Sequence, residues 1–311
     1  MKLRNCLVFI SVLLFCCSFS PAQTRLSLAF GEGFGSIKVG DINTTLISTN
    51  AAYDGLRNSA PGAVAGEYLP MPTGFRDWQA ELRWNAWGRF SIGIAISAPL
   101  HFSNFSALTH TWFGHQSGLP QTMNNTVAPD VHVSAPVSLN FCYTVPIITR
   151  INLIARGGMG YYRARIEQTW SRVDRNPDES TFVGQQYFSV KGKHIGYEGG
   201  IALEYVFNTR ISLMMAGVWR FAKIGSFEGS WQSHLDSFDG YGSLTDTQNV
   251  TEEGFLYHYI GDSFYVDARH EKLILSSFFP EYGIDMPFGQ RKAFLDLGGF
   301  TLRIGVKIGL F

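Results

Sequence analysis

A histidine and a serine two residues apart have the residue types and spacing that nucleophilic catalysis needs. They are His101 and Ser103, in the segment HFSN at 101–104. Residues i and i+2 of a strand share one face, so an imidazole base and a hydroxyl could approach the same substrate. The alternation of the preceding residues points His101 toward the interior of the predicted sheet, and no partner carboxylate can be assigned to it. A hydrolase is therefore only a minor hypothesis. The alternative is that His101 and Ser103 are ordinary residues at the entrance to a loop.

The segment 225–299 is strongly acidic, with twelve Asp or Glu residues and four Lys or Arg residues. Such a segment could recruit divalent cations. However, the stretch DSFDGYGSLTD places Phe238 and Gly240 where a calcium loop needs oxygen ligands. His258 and His270 also lack the spacing of a known metal motif. The sequence therefore predicts a solvated acidic loop, with no metal and no cofactor.

Two stretches inside that acidic segment, 254–267 and 271–288, are rich in aromatic and aliphatic residues. Exposed apolar clusters of this kind usually mark contact with another molecule. Four interpretations stay open: extensions of the flanking strands, an external hairpin, an added strand pair, or a surface that binds an unknown extracellular ligand.

The N-terminus predicts export. Lys2 and Arg4 precede an apolar run at 7–15, and small residues lead up to Ala22, after which we place cleavage. The sequence is thus interpreted as a signal peptide at 1–22 and one domain at 23–311. The whole chain has 25 basic and 25 acidic groups, so nucleic acid is not predicted as a partner. Cys142 is the one cysteine of the domain, which excludes an internal disulfide there.

Period-two alternation of apolar and polar residues dominates the rest of the chain. The alternation predicts eight antiparallel strands, with ten as the alternative. Short turns are predicted near residues 87, 147 and 208, and long polar connections at 41–75, 103–129, 171–184 and 225–297. Short and long connections alternate along the chain. This sorting is typical of an all-β, up-and-down transmembrane barrel whose long loops face outward from the cell.

The same alternation assigns charged residues to the barrel interior: Glu81, Arg83, Arg156, Glu198, Glu204, Arg220, Arg303 and Lys307. Eight strands leave a lumen that side chains can fill, so these charges are predicted to pair and plug it, with a narrow pore as the alternative. Trp78 and Trp84 fall on the opposite face, and Trp84 and Trp87 lie beside a short turn, so the three tryptophans suit a membrane girdle. Ordinary cross-strand packing would also explain these tryptophans.

The final strand, GGFTLRIGVKIGLF at 298–311, alternates strictly and ends on Phe311. With the signal peptide and the alternating strands, it resembles bacterial outer-membrane β-barrels of the small OmpA/OmpX/OmpW-like type. The resemblance implies a Gram-negative outer membrane, contact with its lipid and lipopolysaccharide, and recognition of Phe311 by the barrel assembly machinery. HFSN also resembles the His-x-Ser-Asn arrangement of outer-membrane lipid A deacylases.

Three functions follow as hypotheses. The first is a non-enzymatic surface, structural or binding role carried by the long loops. The second is a porin-like passive channel for small or hydrophobic solutes. The third is a lipid A-type hydrolase that uses His101 and Ser103.

Overall fold

The structure is a computed structural model that describes residues 26–113, 120–262, 269–276 and 290–310. The predicted signal peptide and Phe311 lie outside these ranges. In chain order the elements are β1 (Leu26–Ile37), α1 (Asp41–Ser59), β2 (Val64–Glu67), β3 (Gly74–Trp87), β4 (Phe90–Ser97), β5 (Leu100–Ser103), β6 (Ser106–Phe113), β7 (Pro120–Val133), β8 (Val137–Ile148), β9 (Ile151–Arg175), β10 (Thr181–Val206), β11 (Ile211–Phe221), β12 (Lys223–Gly225), β13 (Glu228–Phe238), β14 (Leu244–Asp262), β15 (Arg269–Ser276), β16 (Gln290–Lys292), β17 (Phe294–Asp296) and β18 (Gly299–Gly309).

Eight of these strands form a closed antiparallel ring in the order β1, β3, β4, β8, β9, β10, β11, β18. The ring closes where β1 pairs with β18, from Ser27 opposite Gly309 to Ile37 opposite Gly299. Every ring strand therefore has a hydrogen-bonded neighbour on both sides. β18 thus supplies the hydrogen-bonded neighbour that β1 needs, and its residues alternate because one face lines the ring interior and the other faces outward.

The two ends of the ring differ. At one end β3–β4, β8–β9 and β10–β11 are joined by connections of two to four residues, as predicted. At the other end long segments follow β1, β4 and β11.

The predicted long polar connection at 171–184 is wrong. β9 and β10 continue through it as one ladder from Ile151 opposite Tyr205 to Arg175 opposite Thr181. Only residues 176–180 turn the chain, closed by a hydrogen bond from the Asn176 N–H to the Ser180 carbonyl. The segment looked like a loop because it is polar. Its polar residues are strand residues outside the ring, where charges such as Arg172 and Asp174 pair along the strand at 2.5 Å.

The other long segments fold into a second layer, which we call the cap: α1, β2, β5–β7, β12–β17 and the distal halves of β9 and β10. Its sheet joins the ring strands at two places: β7 pairs with β9, and β13 pairs with β10. The predicted polar loops at 41–75, 103–129 and 225–297 are therefore structured over their described residues. Val39, Ile224, Phe227, Leu295 and Leu297 are completely buried in its apolar core. Burial of these residues explains why the segments contain apolar residues that a solvated loop would not keep.

Helix α1 is held in the cap by polar contacts that the sequence does not predict. Asp41, which is 2% exposed, accepts two hydrogen bonds of 2.6 Å from Arg291 and one of 2.9 Å from the Phe294 N–H. The Asn43 amide bonds the backbone N–H and carbonyl of Met71 at 2.7 and 3.2 Å. The described residues include no helix with the length and apolar character needed to cross a bilayer.

Two prolines interrupt strands that the sequence predicts to be continuous. Pro99 separates β4 from β5, and Pro136 lies between β7 and β8. Proline has no N–H to donate to a ladder, so the chain leaves the ring for cap strand β5 at Pro99 and returns from cap strand β7 to ring strand β8 at Pro136. The residues beyond each break no longer follow the alternation of the residues before it.

Candidate functional site

The interior of the ring carries both signs of charge, and the structure places all eight predicted interior residues there. Glu81, Arg83, Glu198, Glu204, Arg220 and Arg303 are each at most 5% exposed. The side chains of Arg156 and Lys307 are 6% and 23% exposed. Charges this buried are stable only when they are paired and hydrogen-bonded.

The central group pairs across the ring. Arg156 lies 2.6 Å from the Glu198 carboxylate and 3.8 Å from Glu81. Arg83 donates to the same Glu81 from two nitrogens, at 3.2 and 3.3 Å. The Asn140 amide lies between Glu198 and Arg156; with its nitrogen turned toward Glu198, it donates to that carboxylate at 2.8 Å and accepts from Arg156 at 3.0 Å. Strands β3, β8, β9 and β10 are thereby joined through the interior.

A second group joins β18 to β3. Arg303 donates to Asp77 from two nitrogens, at 2.8 and 2.5 Å, and to the Gln79 side-chain oxygen at 3.0 Å. The same Gln79 oxygen accepts from Arg156 at 3.1 Å. Gln79 therefore connects the two groups into one network, which spans the ring from its closing strand to β9.

The two ends of the interior are closed differently. Near the short turns, Glu204 accepts a hydrogen bond of 2.9 Å from Asn152 and pairs with Lys307. Near the cap, the Arg220 guanidinium lies over the rings of Phe75 and Tyr162, at 5.6 and 5.8 Å from their centroids. Cation–π contacts of this kind stabilise a buried guanidinium. The apolar core of the cap begins at Tyr162.

The central charges border a small cavity. A cavity of about 30 Å³ lies among Gln79, Glu81, Arg156 and Arg303, with Met214 and Ala216 also lining it. This is room for about one water molecule. Within the described residues, the interior therefore has the form of a plug.

Sequence reasoning missed three members of the network: Asp77, Gln79 and Asn140. Asp77 and Gln79 are in phase with Glu81 and Arg83 on β3, and Asn140 is in phase with Cys142 on β8. Their alternation identifies them as interior residues, although Asn140 and Gln79 carry no charge that would single them out.

The outer face of the ring is apolar, with aromatic residues toward both ends. Trp84 and Trp87 lie near the short turns and are 51% and 72% exposed, whereas Trp78 lies toward the cap and is 38% exposed. Other outward aromatic residues near the turns include Tyr205 and Phe207, and near the cap Phe34, Tyr161, Tyr197, Trp219, Phe221 and Phe300. Exposed aliphatic residues lie between them: Leu82, Ile94, Ile201, Leu203, Met215, Leu302 and Ile304.

His101 does not point inward, so this part of the sequence prediction is wrong. The break at Pro99 places it on the outer surface of the cap, with its side chain 55% exposed. It also has the carboxylate that the sequence could not assign, because its Nε2 lies 2.8 Å from Asp130 Oδ1. Ser103 shares the exposed face of β5, as predicted, but no hydrogen bond joins its hydroxyl to His101 in the described part of the chain.

His132 completes a three-residue cluster with His101 and Asp130. It pairs directly with His101 across β5 and β7, and the two imidazole rings stack at 4.2 Å with 9° between their planes. Its Nε2 lies 3.2 Å from the same Asp130 oxygen. The three potential ligand atoms lie within 4.8 Å of one another. Imidazole and carboxylate are ligand types that divalent transition metals accept.

A second exposed histidine in the cap has a different environment. His234 Nδ1 lies 2.7 Å from the Asn249 side-chain oxygen, and its Nε2 lies 2.9 Å from Asp236. Both nitrogens thus face acceptors, which raises the pKa of His234 through the Asn249 and Asp236 hydrogen bonds. The pKa of Asp236 is lowered, first by the Thr247 hydroxyl and then by His234.

The chain is similar to solved outer membrane proteins, whereas no family model and no curated protein matches it. A major outer membrane protein from Thermus thermophilus matches 91% of this chain and 98% of its own, at 10% identity and a TM-score of 0.32. The outer membrane protein OprG from Pseudomonas aeruginosa matches 92% and 97%, at 9% identity and a TM-score of 0.34.

Both of these proteins belong to the outer membrane, the class that the sequence resembles.

Proposed function

We propose that the chain is a non-conducting transmembrane β-barrel of a Gram-negative outer membrane, and that its cap is a structural or binding module at the cell surface. The paired interior carries this proposal: the charged side chains pair across the ring, and the cavity among the central charges has a volume of about 30 Å³. An open channel needs a continuous path of water, whereas this cavity has space for about one molecule.

The ring also meets the physical requirements of a bilayer. A strand edge in hydrocarbon would leave N–H and C=O groups unpaired at several kcal/mol each, and the β1–β18 ladder removes that edge. The outward side chains are mainly aliphatic between aromatic residues, as a lipid-facing surface requires. The orientation with the cap outside the cell follows the rule that barrel turns are short on the periplasmic side.

Lipid phosphate is the partner that the outer surface supports best. On the β9–β10 hairpin, just beyond the outward Tyr161 and Tyr197, Arg165 lies opposite Lys191 and Arg163 lies opposite Lys193. Like charges directly opposite one another destabilise a ladder. Arg165 pairs with Glu167 at 2.5 Å and Lys191 also lies opposite Glu228 of β13, so Arg163 and Lys193 are the pair that an external anion would neutralise. The phosphate groups of lipopolysaccharide would supply that anion at the height of the membrane surface.

Single-channel recording tests the proposal. The purified protein is inserted in a planar bilayer, with a porin of known conductance as the positive control and a protease-protection assay to verify insertion. We expect no discrete current steps. Steps in the presence of inserted protein would contradict the plugged interior and would favour the alternative, passive transport of small or hydrophobic solutes.

The hydrolase hypothesis needs its own test. We expect the acylation pattern of lipid A to be the same in cells with the native protein, with Ser103→Ala and without the protein. Loss of an acyl chain that depends on Ser103 would overturn the non-enzymatic proposal. Recognition of Phe311 by the assembly machinery stays a prediction.

A further inference from the structure

We propose that His101, Asp130 and His132 form a binding site for a borderline divalent metal ion, of the Zn²⁺ type, on the outer surface of the cap. The site is separate from the barrel interior. It does not depend on whether the barrel conducts.

The ligand atoms already converge. Both Nε2 atoms point at one carboxylate oxygen, His101 from 2.8 Å and His132 from 3.2 Å. A tetrahedral Zn²⁺ with ligands at about 2.0–2.2 Å holds its ligand atoms about 3.4 Å apart. The present separations differ from that value by less than about 1 Å for both nitrogen–oxygen pairs. A metal ion could therefore enter with side-chain adjustment and no movement of the strands.

The backbone fixes this arrangement. β5 and β7 are paired over four residues, with His101 directly opposite His132 and Ser103 directly opposite Asp130. Asp130 and His132 lie two residues apart on β7, so their side chains leave the sheet on the same face. The neighbouring residues Leu100, Phe102, Val131 and Val133 are buried in the cap core, which anchors both strands. The site is thus built on a rigid pair of strands.

The chemistry of the three residues selects the class of metal. Two imidazoles and one carboxylate suit Zn²⁺, Cu²⁺ or Ni²⁺ better than Ca²⁺ or Mg²⁺, which prefer all-oxygen sites. The side chains of His101, Asp130 and His132 are 55%, 37% and 49% exposed, so a metal can reach them directly from solvent. Three protein ligands leave a fourth position on the solvent side for water or an anionic group.

A direct binding measurement tests the site. The protein, extracted from membranes in detergent and carrying no polyhistidine tag, is titrated with ZnCl₂ at constant pH in competition with a chromophoric chelator. We expect one saturable site per chain. His101→Ala and His132→Ala should each weaken it by at least about tenfold, because removal of a ligand costs at least as much as removal of a residue that orients one. Asp130→Asn should also weaken it.

His234→Ala is the matched control, since it removes an exposed cap histidine that also lies beside a carboxylate but has no second imidazole in its hydrogen-bonded group. Its Zn²⁺ affinity should equal that of the native protein. Electron paramagnetic resonance with Cu²⁺ gives a second readout: two coordinated nitrogens in the native protein and one in each single histidine variant. Absence of a saturable site, or equal affinity in His101→Ala and the native protein, would overturn the proposal.

Discussion

Replacing one partner of the Arg303–Asp77 ion pair should destabilise the protein far more than replacing both partners together. The side chains of these residues are 4% and 0% exposed, and two nitrogens of Arg303 contact one Asp77 oxygen. Arg303→Met leaves an unpaired carboxylate in the barrel interior, and Asp77→Leu leaves an unpaired guanidinium. Each single substitution should cost about 3–5 kcal/mol of unfolding free energy, the usual penalty for an orphaned buried charge.

The double variant should recover most of that loss. With both charges replaced by apolar side chains of similar size, the expected cost falls to within about 2 kcal/mol of the native protein. Gln79 remains satisfied in this variant, because its oxygen still accepts from Arg156. The two single costs add to at least about 6 kcal/mol, so the coupling free energy between the two positions should be about 4 kcal/mol or more.

Urea unfolding in phospholipid vesicles, followed by tryptophan fluorescence, measures these differences. The matched control is the Arg57–Asp54 pair on helix α1 of the cap, whose side chains are 26% and 60% exposed and 2.6 Å apart. Breaking that exposed pair should cost less than about 1 kcal/mol. If the two interior substitutions were additive, or if each cost no more than the control, the interior would be hydrated and our account of a dry plug would be refuted.

Three further predictions follow from individual contacts. Gly33→Ala should block closure of the barrel, because the added Cβ would overlap the Leu302 carbonyl. Gly31→Ala should be tolerated, since the atom nearest to its added Cβ is 3.6 Å away. Heat-modifiable mobility on gels distinguishes the two outcomes. The pKa of His234 should lie above about 6.5 in NMR titrations and should fall in Asp236→Asn. Its contribution to hairpin stability is present below about pH 6.5 and is lost as the pH rises through the raised pKa. An unshifted pKa would contradict this. Asp41→Ala should loosen the helix at the cap and increase limited proteolysis there by about tenfold or more, since a buried charged hydrogen bond is lost; an unchanged digestion rate would be the contrary result.

The ring could be predicted from the sequence because its strands obey a single simple rule. Outward residues contact apolar surroundings and inward residues contact one another, so alternation in β3, β10 and β18 is continuous and identifies Glu81, Glu198 and Arg303 as interior. The short turns interrupt this alternation for only two to four residues. The interior placement of the charged residues thus followed from parity alone.

The cap could not be predicted in the same way. Helix α1 contains several β-branched and Asn residues that disfavour helix, and contacts from distant residues such as Arg291 and Met71 hold it. A shift of one residue in a strand moves every side chain to the other face. The break at Pro99 has that effect on His101, which alternation places inside and the structure places outside. His132 and Asp130 then join it through pairing that no local pattern encodes.

Closure of the ring by β1 and β18 also has a consequence for the order in which the strands pair during folding. Until β18 is delivered, β1 and β11 each present an unpaired strand edge, and such edges pair readily with other chains. The contacts that remove this hazard join the two ends of the described chain, so they are among the most non-local of the fold and we expect them to form late. We then expect an intermediate in which most ring strands are paired while the edges of β1 and β11 are still exposed. Its lifetime would depend on how soon β18 pairs with both.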